Sequence, residues 1–218
     1  RADINRIVFI PAKVEVRGYQ SYDISRGLIQ FIESDSHDWT DTRQKTHIIE
    51  TALVEQNCNS YLDFGSNLGV LVFQASFKGV SACGVDYNAD YINACNEITR
   101  YLGLPNVTFR TDSFRYFDTS SNWDLISLMN IHHHLFGRTD LPMSLMEINQ
   151  TVLAKCKWFV TQFPTELDKK AIKWTSLYQG KGNYSLNAFL ASLGDRDYRI
   201  LHEDDSRPIF LIRGDLPL

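Results

Sequence analysis

The sequence predicts an α/β protein whose mostly parallel, seven-stranded sheet ends in an antiparallel hairpin. Strand-like runs alternate with amphipathic helical runs, which is typical of a parallel sheet flanked by helices. A strand pattern at residues 60–64 leads directly into a turn that contains Gly65 and Gly69, and a helical pattern follows. The last two strand patterns, at residues 198–202 and 209–213, are separated by a short polar segment that favours a hairpin.

The remaining core elements follow from hydrophobic periodicity and from turn or cap residues at their ends. The helix over residues 88–102, for example, has apolar side chains at helical spacing, and Gly194 is expected to end the helix over 185–193. In chain order, we expect a helix at 42–56 with Asp41 as its N-cap, a strand at 60–64, a helix at 68–77, a strand at 81–85, a helix at 88–102, strands at 106–110 and 123–129, a helix at 141–153, a strand at 158–162, a helix at 185–193, and strands at 198–202 and 209–213.

Residues 1–40 are predicted to be an N-terminal extension packed on a core domain of residues 41–218. Two strand-like runs within residues 6–22 surround Pro11 and predict a hairpin or an edge ribbon. The segment 18–22 is rich in tyrosine and polar residues. Two interpretations stay open for it: the segment reaches a ligand, or its tyrosines pack on the core.

Length and composition are those of a soluble globular protein with one core. The chain has 218 residues, of which 44% are hydrophobic and 22% are charged. No apolar run approaches the roughly 18–20 residues of a membrane span, and no signal-peptide pattern is present, so we expect a cytoplasmic protein. The net charge of −4 argues against nucleic acid as the main partner. Because the sequence begins at Arg1 and not at methionine, it could be one domain of a longer protein.

The turn after the first core strand carries the pattern D-x-G-x-x-x-G, formed by Asp63, Gly65 and Gly69. Glycine lets the backbone turn sharply and lets a ligand approach, and the N-terminus of the next helix favours an anionic group there. Asp86 ends the next strand, where a carboxylate can accept both hydroxyls of a ribose. A dinucleotide site would need a glycine where this chain has Asn67. The alternative is an ordinary βα turn with a capping aspartate.

This pattern resembles motif I of the class I S-adenosylmethionine-dependent methyltransferases, and the resemblance covers about residues 45–215. It implies a Rossmann-like fold, S-adenosylmethionine (SAM) as cofactor and S-adenosylhomocysteine (SAH) as product. Asp112 would accept the adenine amino group and Phe114 would stack on the adenine ring, unless Asp112 only caps the next turn. The cofactor-binding residues that the resemblance implies are Asp63, Gly65, Ser66, Asn67, Gly69, Asp86, Tyr87, Asp112, Ser113, Phe114 and Asn130.

His133 and His134 are the candidate catalytic residues. They occupy the position at which many members of the resembled family carry a hydrophobic–His–His segment that lines the methyl-transfer cleft. A histidine can take a proton from an acceptor hydroxyl, but methyl transfer depends mostly on alignment, so the two residues either act as bases or only line the pocket. We expect no metal, because no second cluster at ligand spacing accompanies the histidines and the four cysteines show no C-x-x-C spacing.

A narrower resemblance is to the methyltransferase domains of bacterial bifunctional methyltransferase–kinases that cap O-antigen polysaccharides. It is carried by Asp124, the two histidines and the segment 205–210. It implies a role in polysaccharide biosynthesis, with a sugar hydroxyl or phosphate as the methylated oxygen in a small-molecule or glycan acceptor. Two alternatives stay open: a nucleic-acid methyltransferase, favoured by the lysine-rich stretch 169–181, and a non-catalytic methyltransferase-like binding domain.

The stretch 163–184 interrupts the alternation of strands and helices and combines lysines with aromatic residues. In an α/β sheet, the segment after the carboxyl end of a strand lies over the ligand crevice. This stretch is therefore a candidate acceptor-binding lid. The alternative is a solvated amphipathic helix and loop.

Overall fold

The structure, a computed structural model, describes residues 6–11, 13–17, 21–25, 27–31, 38–114, 121–137, 143–169, 173 and 183–218. The chain divides into two compact units, Arg1–Tyr116 and Phe117–Leu218. In the first unit the elements are β1 (Arg6–Ile10), β2 (Lys13–Arg17), β3 (Tyr22–Ser25), β4 (Leu28–Phe31), α1 (Asp38–Glu55), β5 (Ser60–Phe64), α2 (Val70–Phe77), β6 (Ser81–Asp86), α3 (Ala89–Leu102) and β7 (Val107–Thr111).

An antiparallel four-stranded sheet, in the order β1-β2-β3-β4, precedes the first long helix. The predicted hairpin is its first half, since Ile10 of β1 pairs with Lys13 of β2. Strands β3 and β4 were not predicted from the sequence, although Gly27, at φ 75°, is a usable signal for the turn between them. The residue that obscures the pattern is Asp23, which is buried in β3. Its carboxylate is paired with Lys13 at 2.6 Å and with Arg17 at 2.7 Å, which offsets the cost of burying it.

The parallel strands β5, β6 and β7 pair side by side in that order. Strands β5 and β6 are mostly buried, as parallel strands are. Helix α2 begins at Val70, two residues later than predicted, because Gly69 lies in the left-handed region at φ 79°. Helix α1 begins at Asp38, so the expectation that Asp41 is its N-cap is wrong. The proposed division of the chain at residue 40 stays a prediction.

The second unit contains, in chain order, β8 (Trp123–Met129), α4 (His132–Gly137), α5 (Leu145–Leu153), β9 (Cys156–Gln162), α6 (Leu186–Ser192), β10 (Tyr198–His202) and β11 (Ile209–Arg213). Strands β8 and β9 are parallel, and β11 is antiparallel to both β9 and β10. Helix α5 begins at Leu145 and not at residue 141, because Ser144 and Glu147 form a capping box.

The predicted fold class is confirmed. Strands β5 to β11 form a seven-stranded sheet that is mostly parallel and ends in the antiparallel hairpin β10–β11. Among the helices that the structure describes, none combines the length and the apolar character needed to cross a membrane.

Candidate functional site

The turn between β5 and α2 is built from left-handed backbone positions. Gly65, Asn67 and Gly69 have φ values of 74°, 50° and 79°. Asparagine tolerates this region better than most residues, which is why the turn can omit a glycine at position 67. Gly69 has a second constraint, because a Cβ on it would lie 2.7 Å from Cζ of Phe109. Glycine at this position therefore serves backbone conformation and packing together.

The backbone amides of this turn are already paired within the protein. Gly65 and Ser66 donate to the carbonyl of Val85 at 2.8 and 3.1 Å, and Gly69 donates to the carbonyl of Ser66 at 2.8 Å. A phosphate-binding loop instead directs such amides at its ligand. These three amides therefore do not support the expectation that the turn favours an anionic group. The turn suits an uncharged nucleoside better than a pyrophosphate.

The Asp86 carboxylate lies against this turn. One oxygen accepts from the amide of Asn67 and the other from the amide of Asn88, both at 2.9 Å. The residue is only 7% exposed. Burial raises the pKa of this carboxyl group above its usual value, and the hydrogen bonds from the Asn88, Asn67 and Tyr87 amides oppose that rise. The acid and the glycine turn are thus adjacent, as the sequence pattern indicated.

Two polar side-chain atoms in the turn are buried without a hydrogen-bond partner among the residues that the structure describes. They are Oγ of Ser66 and Oδ1 of Asn67. Asp63, the penultimate residue of β5, is buried as well. Buried polar atoms are normally paired, so the two orphaned atoms indicate a place for a polar ligand group. Together with the carboxylate of Asp86, they fit an adenosyl ligand with hydroxyl and amino groups.

The residues after β7 continue the same edge of the sheet. The amide of Asp112 donates to the carbonyl of Asp86 at 3.0 Å, and Oδ1 of Asp112 accepts from the amide of Ser113 at 2.7 Å. The capping role of Asp112 is therefore present. Phe114 is buried with its ring edge-on to Phe64, with centroids 4.9 Å apart. Tyr87, in contrast, is 80% exposed.

Tyr22 of the N-terminal sheet contacts the glycine turn. Its hydroxyl donates to the carbonyl of Leu68, and the side chain is fully buried. For Tyr22, the structure favours the core-packing interpretation of the segment 18–22, while residues 18–20 lie outside the described residues. A second contact that the sequence did not suggest comes from Cys95, whose thiol lies 3.6 Å from the carbonyl of Asn67.

Replacing Tyr22 with phenylalanine is expected to lower the free energy of unfolding by about 1–2 kcal/mol, because a buried carbonyl loses its donor. The affinity for SAH should fall several-fold, because the same carbonyl belongs to the glycine turn. Tyr101→Phe is the matched control, since Tyr101 is exposed and donates to the carbonyl of Ile10 at 2.7 Å. Urea unfolding and calorimetric titration with SAH measure both effects. Equal losses in the two variants would contradict a special role for Tyr22.

The second unit carries the histidine segment. Asn130, directly after β8, adopts φ 61°, donates its amide to the carbonyl of Gln162 at 3.2 Å, and has a buried Oδ1 without a described partner. The three histidines follow on helix α4, where successive side chains point about 100° apart. Their environments consequently differ, although they are adjacent in the sequence.

His132 belongs to the core of this unit. It is 0% exposed, its Nε2 lies 3.2 Å from Oδ1 of Asn149, and its Nδ1 lies 3.3 Å from Oγ1 of Thr161. Phe163 and Phe189 contact the ring edge-on. Burial lowers the pKa of His132 to about 4, and the hydrogen bond with Asn149 opposes that shift. His132 is a structural residue in this environment.

Lowering the pH from 7 to 5 is expected to destabilise the protein through His132. The unfolded chain takes up a proton near pH 6.5 and the folded ring only near pH 4, so the unfolded state binds more protons between these values. In His132→Gln, the loss of stability over this interval should therefore be about 2 kcal/mol smaller. Urea unfolding at pH 7 and at pH 5 measures this change in the free energy of unfolding. His47→Gln, on the exposed face of α1, is the control. An unchanged pH response in His132→Gln would refute the assignment.

His133 is 5% exposed, and its Nδ1 has no hydrogen-bond partner among the described residues. Its ring centroid lies 4.0 Å from that of His134. The pKa of His133 is lowered to about 3, first by burial and then by the neighbouring His134. Asp168 opposes the shift, and His132 and Arg207 add smaller lowering contributions. Within the described residues, no group of three or more His, Cys, Asp or Glu side chains could hold a metal ion. The absence of a metal cofactor stays a prediction.

Residues of the predicted lid that the structure describes lie close to the histidine segment of the same unit. Tyr184 packs on Phe163 at 5.0 Å and on Phe136 at 5.1 Å between ring centroids. Asp168 forms an ion pair with Arg207, with 2.5 Å between Oδ2 and Nε. Residues 170–172 and 174–182 of the stretch lie outside the described residues. The roles of Tyr184, Asp168 and Arg207 were not foreseen individually, because they come from segments far apart in the sequence.

No protein-family model and no curated protein matches this sequence. Solved structures match its fold. The bifunctional kinase-methyltransferase WbdD aligns with a TM-score of 0.65 at 14% identity, over 82% of this chain and 42% of its own. The N-terminal domain of EvdMO1 with SAH bound aligns with a TM-score of 0.61 at 12% identity, over 84% of this chain and 90% of its own. Magnesium protoporphyrin IX methyltransferase (ChlM) from Synechocystis PCC 6803 with bound SAH aligns with a TM-score of 0.61 at 14% identity, over 84% of this chain and 90% of its own.

The chain spans about two fifths of the length of the WbdD chain that it matches. Its structural neighbours are SAM-dependent methyltransferases, and sequence identities of 12–14% make this a likeness of fold. The Rossmann-like methyltransferase fold predicted from the glycine turn and Asp86 is confirmed.

Proposed function

We propose that this chain is a SAM-dependent methyltransferase that acts on an oxygen nucleophile, a sugar hydroxyl or phosphate, including one at a glycan end. The observation that carries the proposal is the buried carboxylate of Asp86 held against the glycine turn, where polar atoms of Ser66 and Asn67 are buried without a partner among the described residues. Fold likeness to EvdMO1 and ChlM, both crystallised with SAH, supports the choice of cofactor. Likeness to WbdD and EvdMO1 suggests the oxygen acceptor.

The residues that we assign to the cofactor all come from the ends of strands and the turns after them. Asp86 accepts the ribose hydroxyls, and Asp112 accepts the adenine amino group with the oxygen that does not cap Ser113. The exposed ring of Tyr87 and the ring of Phe114 flank the adenine. The other residues assigned to cofactor binding are Asp63, Gly65, Ser66, Asn67, Gly69, Ser113 and Asn130.

The environment of Asp86 agrees with a binding role. A carboxyl group whose pKa is raised by burial is less favourable in its charged form than it would be in water. Hydroxyl donors from a ligand would offset that cost by hydrogen bonding to the charged form. A perturbed acid beside a turn with unpaired polar atoms is a feature of functional sites.

When bound, SAM would supply a methyl group carried by a positively charged sulfur, and an aligned acceptor oxygen would attack the methyl carbon in line with the carbon–sulfur bond. The contribution of this chain is to bind both molecules, to exclude water and to handle the acceptor proton. We assign acceptor binding to His133 and His134. His133 is neutral at pH 7, so its Nδ1 can accept a hydrogen bond from an acceptor hydroxyl and guide the departing proton, while alignment provides most of the acceleration.

Calorimetric titration of the purified protein with SAH tests the proposal. We expect a dissociation constant in the micromolar range, and an SAH-release assay over a panel of sugars, sugar phosphates and RNA should give turnover with a sugar or sugar phosphate. Absence of SAH binding would end the proposal. Binding of SAH without turnover on any acceptor would favour the non-catalytic alternative, and turnover on RNA would favour a nucleic-acid methyltransferase.

A further inference from the structure

We infer that the acceptor presents an uncharged hydroxyl group, bound jointly by His133 and Tyr184, and that a phosphate is not the group bound there. The inference rests on the proposed function and narrows its acceptor class. It uses only residues of the second unit.

Several neutral hydrogen-bonding atoms of this unit are buried without a partner among the described residues, and two of them carry this inference. They are Nδ1 of His133 and the hydroxyl oxygen of Tyr184. The tyrosine ring is held between Phe163 and Phe136. Phe136 follows His133 by three residues on α4, so the two side chains share a face of that helix. The carboxylate of Asp168 also acts electrostatically on both His133 and Tyr184.

An unpaired buried polar group costs roughly 1–3 kcal/mol, so such groups in a folded protein require an explanation. A ligand hydroxyl matches this pair, because it has one hydrogen to donate and two lone pairs that accept. It can donate to Nδ1 of His133 and accept the hydrogen of the Tyr184 hydroxyl at the same time. Neither protein group changes its protonation state on binding.

The charges around the two atoms disfavour a phosphate. Asp168 and Glu166 both raise the pKa of Tyr184 above its usual value, after the larger contribution of burial. Arg207 is a nearby cation that acts on His133 as well, but its guanidinium is paired with Asp168. Among the described residues, the formal charges of Asp168, Glu166 and Arg207 therefore leave a surplus negative charge. His133 has a pKa lowered to about 3 and supplies no positive charge at pH 7. A phosphate needs cationic donors such as Arg, Lys or protonated His, whereas a neutral hydroxyl experiences no repulsion.

The test uses the purified chain saturated with SAH. Saturation-transfer NMR and titration compare the methyl glycosides of glucose, galactose, mannose and fucose with glucose 6-phosphate and inorganic phosphate. We expect at least one glycoside to bind more tightly than either phosphate probe. Tyr184→Phe removes only the hydroxyl and should weaken glycoside binding about tenfold. Tyr198→Phe, on exposed β10 of the same unit, is the matched control and should stay within about twofold of wild type.

Three outcomes would overturn the inference: tighter binding of a phosphate probe, binding of none of the glycosides, or unchanged glycoside affinity in Tyr184→Phe. Titration of wild type and Tyr184→Phe with SAH alone separates this test from that of the proposed function. Loss of SAH binding in the wild type defeats the function itself. Retained SAH binding with any of the three outcomes defeats only the hydroxyl inference.

Discussion

Asp86→Ala is expected to weaken SAH binding by about 100-fold or more. Each hydrogen bond to a charged group contributes about 1.5–3 kcal/mol, and a carboxylate that accepts both ribose hydroxyls makes two of them. The variant also removes the acceptor that fixes the amide of Asn67, so the turn loses its support together with the ligand contacts. Calorimetric titration with SAH measures the effect, and circular dichroism with thermal melting verifies that the variant is folded.

Asp90→Ala is the matched control for this experiment. Asp90 is an exposed acid in the first turn of α3, four residues after Asp86, and its side chain makes no described contact with the glycine turn. Its removal changes the net charge equally and should leave SAH affinity within about twofold. If both substitutions weaken binding alike, Asp86 acts only through overall charge. If neither does, the adenosyl site lies elsewhere.

Gly69→Ala is expected to lower the free energy of unfolding by about 3 kcal/mol, more than any other substitution considered for this protein. Two separate costs combine at this position: a left-handed backbone that an L side chain adopts unfavourably, and a Cβ only 2.7 Å from the ring of Phe109. Because the same residue shapes the turn, SAH affinity should fall as well. Urea unfolding reports the stability, and titration reports the affinity.

Two other glycines separate these costs. Gly79 has φ 82°, and nothing lies within 4 Å of the place that an added Cβ would occupy, so Gly79→Ala should lose about 1 kcal/mol from backbone conformation alone. Gly84 is not left-handed, but its Cβ would lie 2.5 Å from Phe109, so Gly84→Ala should lose about 2 kcal/mol from overpacking alone. If Gly69→Ala loses no more stability than Gly79→Ala, the ring of Phe109 can move to make room for the added Cβ at no measurable free-energy cost.

Local pattern was enough to predict most of the elements. Ser60–Phe64, Tyr198–His202 and Ile209–Arg213 have the predicted bounds, because their apolar runs are flanked by turn residues that stop them. Asp23 shows where prediction from local pattern fails, because an aspartate in a sequence favours a loop over a buried strand. Its burial is possible because Lys13 and Arg17, on the neighbouring strand, form ion pairs with its carboxylate. Strand β3 was missed for that reason.

The adjacency of Asp86 and the glycine turn could be predicted from sequence, because neighbouring parallel strands bring their carboxyl ends to one edge of a sheet. The sequence could not predict which polar atoms of the turn lack a described partner, because the amides of the turn bond to Val85 and Asp86 through tertiary contacts. Tyr22 likewise reaches Leu68 across 46 residues of sequence, a separation that leaves no periodic signal.

Backbone propensity and hydrophobic period act over a few residues, so local sequence was sufficient to predict the fold class and the position of the strand–turn–helix. Tertiary packing was needed to distinguish His132 from His133, since helix rotation directs the first ring onto Asn149 and leaves a nitrogen of the second without a partner in the described part of the chain. It also brought Tyr184 against Phe136, which follows His133 by three residues on α4. Such contacts join segments that are remote along the chain, and packing of the whole unit selects them.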